Sequence, residues 1–255
     1  MERSRSELIE AIADSERWFP RSFAEAVTRE WGVLFHTPSI PESHDGNHAR
    51  VADHGGRPSD AVREVVAFYR SKGLTPRVNF VSADGDDPQL RAALSDAGFV
   101  FEYENEMRVY VHERPSSISP NPAVRVRRAS ALSSTLFDAI SELNCLRVAR
   151  VLKRRMRQGE AHLFVGEYEG RSVSIALVEL APGLRRVDEV HTHPEYRGRG
   201  CARAVIHELV SFERGTEGTP LYLWTDNPVA ERLYVEAGFE SVGQPLTSWC
   251  SWLPD

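Results

Sequence analysis

Two spacings of apolar residues alternate along this chain. Period-two alternation, which argues for half-buried strands, runs through 123–130 (AVRVRRAS), 162–170 (HLFVGEYEG), 171–180 (RSVSIALVEL), 185–193 (RRVDEVHTH) and 221–225 (LYLWT). Gly170 sits where the second and third of these would turn as a hairpin. Helical spacing fills 131–143, 145–158, 199–214 and 228–238, and a strand pair is predicted over 240–253. The first half repeats the mixture. Helices are predicted around 5–13 and 20–30, a strand at 31–37 (WGVLFHT), a helix at 59–73, a strand at 77–83 (RVNFVSA), a helix at 88–98 and a single strand over 100–112 (VFEYENEMRVYVH). Residues 41–60 are polar and rich in Gly, Pro and His, and read as a loop holding a short strand. Interleaved strands and helices of this kind predict an α/β class, with α+β mixed sheets.

The clearest punctuation is PSSISPNP, residues 115–122, with three prolines and three serines between strand-like runs. Proline fixes φ and removes a donor, so this stretch predicts an extended connector. The expected division is residues 1–115, a linker at 116–122, and residues 123–255. The halves share a pattern. From Asp86 and Asp226 onward, a constant offset of 140 aligns D-x-P and then A-G-F nine residues after the Pro. Each copy opens with Thr-Pro and a strand, and each predicts a helix begun near Pro and ended at Gly. The matched order of elements points to duplication.

Composition narrows the class. Apolar residues make up 41% and charged residues 27%, values of an ordinary globular chain. No run approaches the roughly 18 apolar residues a membrane span needs, and the acidic, broken start does not read as a secretion signal, so a cytoplasmic location with no membrane partner is expected. Net charge is −6, which does not favour nucleic acid as a partner. Cys145, Cys201 and Cys250 form no C-x-x-C and suggest reduced thiols.

One segment stands out for chemistry: VDEVHTHPEYRGRGCARAVIHELV, residues 187–210. A strand runs to a Pro, and Arg197-Gly198-Arg199-Gly200-Cys201-Ala202 then opens an amphipathic helix. Glycines allow a tight turn and close approach, the first helical N–H groups lack intrahelical partners, and the helix dipole adds positive potential beside two arginines. A pyrophosphate suits such a site. Neither G-x-G-x-x-G nor G-x-x-x-x-G-K-[ST] is present.

The order strand, P-E-Y-R-G-R-G-x-A, helix, strand, N-P-x-A-x-x-L-Y-x-x-x-G-F resembles the GNAT superfamily of acyl-CoA N-acyltransferases over about residues 123–253. The resemblance implies two tandem GNAT-like lobes. It implies acetyl-CoA as co-substrate, with its pyrophosphate on Arg197, Gly198, Arg199, Gly200, Cys201 and Ala202, and its pantetheine along a bulged strand end at Val190, His191 and Thr192. Asn227 and Ala230 of the later helix complete the expected acyl-CoA contacts. The first lobe reads as a degenerate copy: HGGRPSD stands where the phosphate loop would be, and Asp87 and Leu94 stand where the second lobe has Asn227 and Tyr234.

By that resemblance the reaction is direct attack of an amine on the thioester, with Tyr234 as the acid that protonates the departing thiolate. The base stays open. The strand position where many relatives carry Glu is Arg186 here. Asp188 shares that position's strand face and Glu189 lies on the other, a bulge would exchange them, and solvent is a third route. A small-molecule amine is the expected acceptor, and a monomer or homodimer the expected state. The alternatives are a longer-chain acyltransferase and a non-catalytic acyl-CoA-binding regulator. His191 and His193 form H-x-H without a third ligand, so no metal is expected. Cys201 lacks a base, Trp224 is placed to wall the acceptor pocket or simply to pack, His44, His48 and His54 read as solvated loop residues, and Lys153-Arg154-Arg155 as a solvated helix face.

Overall fold

The computed structural model describes residues 4–143, 146–214 and 218–254. In chain order it begins with α1 (Arg5–Trp18), a 3-10 turn, β1 (Glu25–Arg29), β2 (Gly32–His36), β3 (Ala49–Val51) and α2 (Pro58–Ser71). Next come β4 (Arg77–Ser82), α3 (Pro88–Asp96), β5 (Val100–Met107) and β6 (Val109–His112). After the proline-rich stretch follow β7 (Val124–Ala129), α4 (Ser134–Leu143), α5 (Leu146–Gln158), β8 (Ala161–Tyr168), β9 (Arg171–Ala181) and β10 (Leu184–Thr192). The chain closes with a 3-10 turn at Pro194–Tyr196, α6 (Cys201–Glu213), β11 (Leu221–Trp224), α7 (Pro228–Glu236), β12 (Phe239–Ser241) and β13 (Leu246–Trp252). No helix among the described residues is long and apolar enough to cross a membrane.

Two compact units result: residues 1–107 with 245–255, and residues 108–244. The first holds a sheet in the order β1-β2-β3-β4-β13-β5, the second a sheet in the order β12-β6-β11-β10-β9-β8-β7. Both are mixed sheets of the expected α/β kind. Reversing the second order matches the two strand for strand from β1/β8 through β5/β12, with β7 as an extra edge. In each, a single parallel pair, β3 with β4 or β10 with β11, stands beside the inserted strand.

That inserted strand moves the boundary. β13, the end of the chain, lies antiparallel between β4 and β5 of the first unit. β6, the end of the first half, lies antiparallel between β11 and β12 of the second. Three expectations change accordingly. The run 100–112 breaks at Arg108 into strands of different sheets, the pair expected over 240–253 is likewise two strands of different sheets, and the units do not part at 115–122. The physical reason is that a strand is assigned by whichever bare edges need its N–H and C=O groups, which local pattern does not record. The helix expected at 20–30 is also replaced, because Glu25–Arg29 pairs with β2 across a tight turn at Glu30 and Trp31. Ladder pairing overrides the helix preference of its Glu, Ala and Arg.

The 140-residue offset is visible in the backbone. Asp87 and Asn227 both cap helices, accepting from the N–H groups of Leu90 at 2.9 Å and Val229 at 2.9 Å. Pro88 and Pro228 are the first helical residues. Gly98 and Gly238 both take positive φ, 86° and 99°, just after the helix end. A Cβ on Gly238 would stand 2.0 Å from the Arg114 carbonyl oxygen, so close backbone approach also requires glycine there.

In the second unit β9 alternates between two cores. Ala176 and Val178 pack with Val205, Leu209 and Val210 of α6, while Ile175 and Leu177 pack with Ile140 of α4 and Leu152 of α5. The first unit buries Leu34, Val65, Leu90 and Trp249 together, so the last strand of the chain supplies part of its core. In the loop before β3, His48 is buried rather than solvated, and Asn47 organises the turn by donating to the carbonyls of Ile40 and Ser43.

A chain of residues 123–255 lacks β6 and leaves β11 and β12 with bare edges. It is expected to be insoluble or to lack near-UV circular dichroism, whereas residues 108–244 fold. Native-like spectra from 123–255 would show that β6 is dispensable.

Candidate functional site

β10 and β11 pair at only two positions, Arg185 with Leu221 and Arg186 with Tyr222. Beyond Arg186 no register pair joins them, so the facing backbone groups of β10 and β11 leave the ladder toward their C-terminal ends. On its other side β10 stays paired with β9, but the register shifts between Asp188 and His191. Glu189 lies within that bulge at φ 50°, one of two non-glycine residues at positive φ among the described residues. A bulge re-aims side chains and withdraws backbone groups from the ladder. The family resemblance implied a bulged end near Val190–Thr192, and the register shift lies between Asp188 and His191. Ser174 of β9 steadies it, its hydroxyl donating to the His191 carbonyl at 3.0 Å and lying 2.8 Å from the Thr192 hydroxyl.

From Thr192 the chain passes through the 3-10 turn to Arg197-Gly198-Arg199-Gly200 and into α6. Gly198 and Gly200 take φ 74° and 76°, left-handed values that disfavour a side chain. Gly200 occupies the N-cap, so no side chain caps the first N–H groups of α6. Arg197 Nε donates to the Thr192 carbonyl at 3.3 Å, tying loop to strand. The Arg199 guanidinium lies 5.5 Å from the Tyr168 ring centroid and 5.3 Å from that of Tyr196. Asn121 donates to the Arg199 carbonyl at 2.8 Å, and a Cβ on Gly200 would approach its Cβ to 3.3 Å. Asn121 escaped notice because it lies in the proline-rich stretch, with nothing local to mark it.

Residues 159–241 match the acetyltransferase (GNAT) domain family. That match lies within the second unit and covers about a third of the chain. Over 58 residues the chain is 45% identical to N-alpha-acetyltransferase RimI of Mycobacterium tuberculosis, covering 22% of this chain and 36% of that protein. Over 103 residues it is 30% identical to the mycothiol acetyltransferase of Nocardiopsis dassonvillei, covering 40% of this chain and 30% of that one. The chain thus spans well under half the length of these relatives. Among solved structures it shares the fold of a GCN5-related N-acetyltransferase from Kribbella flavida, with TM-score 0.72 and 15% identity over 96% of this chain and 95% of that one. It also shares the fold of a tandem GNAT protein from the clavulanic acid biosynthesis pathway, with TM-score 0.57 and 16% identity over 82% and 76%.

Within the matched segment, α7 carries Tyr234, buried at 7% exposure with its ring edge-on to Phe239 at 6.0 Å. Burial, with the negative charge of Asp188, pushes its phenol up to about 12, so it stays protonated at neutral pH. That electrostatic influence ties the bulge of β10 to α7. Asn227 spends its Oδ1 on the cap, and Ala230 and Val190 pack against the core beside α6.

The two carboxylates at the bulge differ in environment. Asp188 stands 2.6 Å from Arg186 Nη1 and 3.5 Å from Arg155 Nη1. Burial works against its charge, but the two guanidinium groups and hydrogen bonds from the Glu189 backbone and Arg186 hold its carboxyl below the usual range. Glu179 of β9 joins the group, 4.0 Å from Arg155 Nε and 3.9 Å from Arg186 Nη1. Glu189 instead hydrogen-bonds His191 Nε2 at 3.0 Å. Arg155 is only 1% exposed, which corrects the solvated reading of its run; Lys153 and Arg154 are exposed as expected. Its partners are 24 and 33 residues away, beyond any helical spacing.

Cys201 is buried and desolvation raises its thiol, the reverse of activation by a helix N-terminus. Cys250 is likewise a free thiol, and Cys145 lies outside the described residues. Trp224 ends β11 with its side chain 37% exposed.

Asp188→Asn leaves Arg155 and Arg186 with less compensation and is expected to cost about 2 kcal/mol in urea unfolding at pH 7. Because the folded pKa is lowered, this contribution is fully present above about pH 4 and is lost as pH falls through the lowered value. Equal stability of the variant at pH 7 would show that the ion pairs contribute nothing.

Proposed function

We propose that the second unit transfers an acetyl group from acetyl-CoA to the primary amine of a small molecule by direct attack. The observation that carries the reading is the parted β10–β11 pair leading through a bulge at Glu189 to the uncapped N-terminus of α6 at Gly200, with a neutral buried phenol at Tyr234. In this reading the N–H groups at Cys201 and Ala202, with Gly198, Gly200 and the cations of Arg197 and Arg199, hold the pyrophosphate. The backbone at Val190–Thr192 pairs with the pantetheine amides, and Asn227 and Ala230 border the thioester at the start of α7.

An amine must lose a proton before or during attack. The ion pairs around Asp188 make it a poor base and favour Glu189, or solvent reached through the cleft. Backbone N–H groups freed by the bulge are suited to the developing oxyanion, since fixed donors need no reorganisation. Tyr234 then protonates the thiolate. The first unit takes no acyl-CoA in this reading. Asp87 there accepts from Leu90 N–H and stands 3.2 Å from His54 Nε2, and buried Leu94 offers no phenol. The chain acts as a monomer or homodimer in the cytoplasm, without a resident metal.

Calorimetric titration of acetyl-CoA into the intact protein tests this. One site per chain is expected, abolished by Gly200→Glu, which strains the left-handed turn and places a carboxylate at the pyrophosphate. Two sites would overturn the assignment of the first unit, and no binding would overturn the enzyme reading. Tyr234→Phe is expected to lower kcat about 100-fold with acetyl-CoA affinity unchanged; unaltered turnover would remove Tyr234 from the mechanism.

A further inference from the structure

The first unit contains a second opening between parallel strands. β3 and β4 pair only at Ala49 and Val78, and beyond that point a cavity of about 550 Å³ lies at their C-terminal ends. That volume suits a small organic molecule. Its wall includes Arg17 of α1, Arg50 of β3, and Asn79 and Ser82 of β4, with the loop from Asp84 to Gln89 at one side.

Arg50 is the unusual member. Its Nη2 donates to the Glu16 carbonyl at 3.3 Å, but Nε and Nη1 are buried and have no hydrogen-bond partner among the described residues. A guanidinium is always charged and carries five N–H donors, and burying such donors without acceptors is costly. The acidic groups nearby do not satisfy them. Asp86 is taken by Trp249 Nε1 at 2.7 Å and by Arg91, and Asp87 by Leu90 N–H and His54. Arg17 is also committed, to Asp14 at 2.6 Å and to the Val81 carbonyl at 3.0 Å, so it adds charge to the wall while Arg50 keeps unused donors. Glu16 and Asp45 offset the Arg50 charge only through space, and burial together with Arg17 lowers its pKa to about 10, leaving it a cation at neutral pH.

We propose that this cleft binds a small molecule through an oxyanion, a carboxylate or a phosphate, accepted by Arg50. Oxygens of such a group form charge-assisted bonds with guanidinium N–H groups, and the apolar parts of Val51, Phe80 and Pro88 line the space beside it. The site is separate from the acyl-CoA cleft of the second unit and does not depend on the acetyl-transfer reading.

The test titrates malonate and inorganic phosphate separately into the full chain carrying Gly200→Glu, which silences the loop before α6. One saturable site per chain is expected, weakened at least tenfold when Arg50→Gln is added, with Arg50→Lys intermediate. Tighter malonate assigns a carboxylate ligand and tighter phosphate a phosphorylated one. Arg50→Gln is also expected to raise the melting temperature without anion, since it removes a buried charge lacking acceptors. No saturation by either anion, or binding unchanged by Arg50→Gln, overturns the proposal and leaves the Arg50 donors to water.

Discussion

A sheet strand with a bare edge inside a domain must be given a partner, and in both units that partner comes from outside the local run of chain. β6 fills the gap between β11 and β12, and β13 the gap between β4 and β5. Much follows from this pairing. β11 is held on one side by β6, which leaves its other side to meet β10 for two residues and then part from it. α7, between β11 and β12, is positioned by the same insertion, and it buries Tyr234 in the core beside Phe239. The chain therefore passes between its units twice, and neither half of the sequence contains a complete sheet.

The parting of the parallel strands is where function can enter. Inside a sheet, backbone N–H and C=O groups are consumed by the ladder. Where β10 leaves β11 and bulges at Glu189, polar backbone is withdrawn from the ladder a few residues before the start of α6. The glycines at 198 and 200 are required by the turn's positive φ, and Gly200 also by the close approach of Asn121. The first unit opens at the equivalent strands, where arginine, asparagine, serine and aspartate residues line the space.

Buried charge gathers beneath the bulge. Arg155, Glu179, Arg186 and Asp188 form a nearly neutral group beneath the bulge, drawn from α5, β9 and β10. Removing such charges from water is unfavourable unless each is paired, so the group is most sensitive to loss of one member. It also fixes which of two neighbouring carboxylates is spent on structure. Asp188 is spent, while Glu189, one residue on and turned by the bulge, meets His191 instead.

Period-two alternation and helix punctuation were enough to place most elements of the second unit, the hairpin at Gly170 and the strand–loop–helix from Val187 to Val210. These depend on contacts within a few residues: alternating burial, a Pro at a helix start, a Gly at its end. The 140-residue offset was equally legible, since Asp87 and Asn227 each cap the helix they precede. What only the tertiary structure decided rests on distant partners. The run at 100–112 looks like one strand until two sheets each claim a part, and Glu25–Arg29 looks helical until β2 pairs with it. Arg155 looks solvated until Asp188 and Glu179 close on it, and Asn121 looks like linker until it meets the Arg199 carbonyl. Local sequence records which side of an element is apolar, but the partner that satisfies a strand edge, a buried cation or a loop carbonyl is chosen only when the chain has closed on itself.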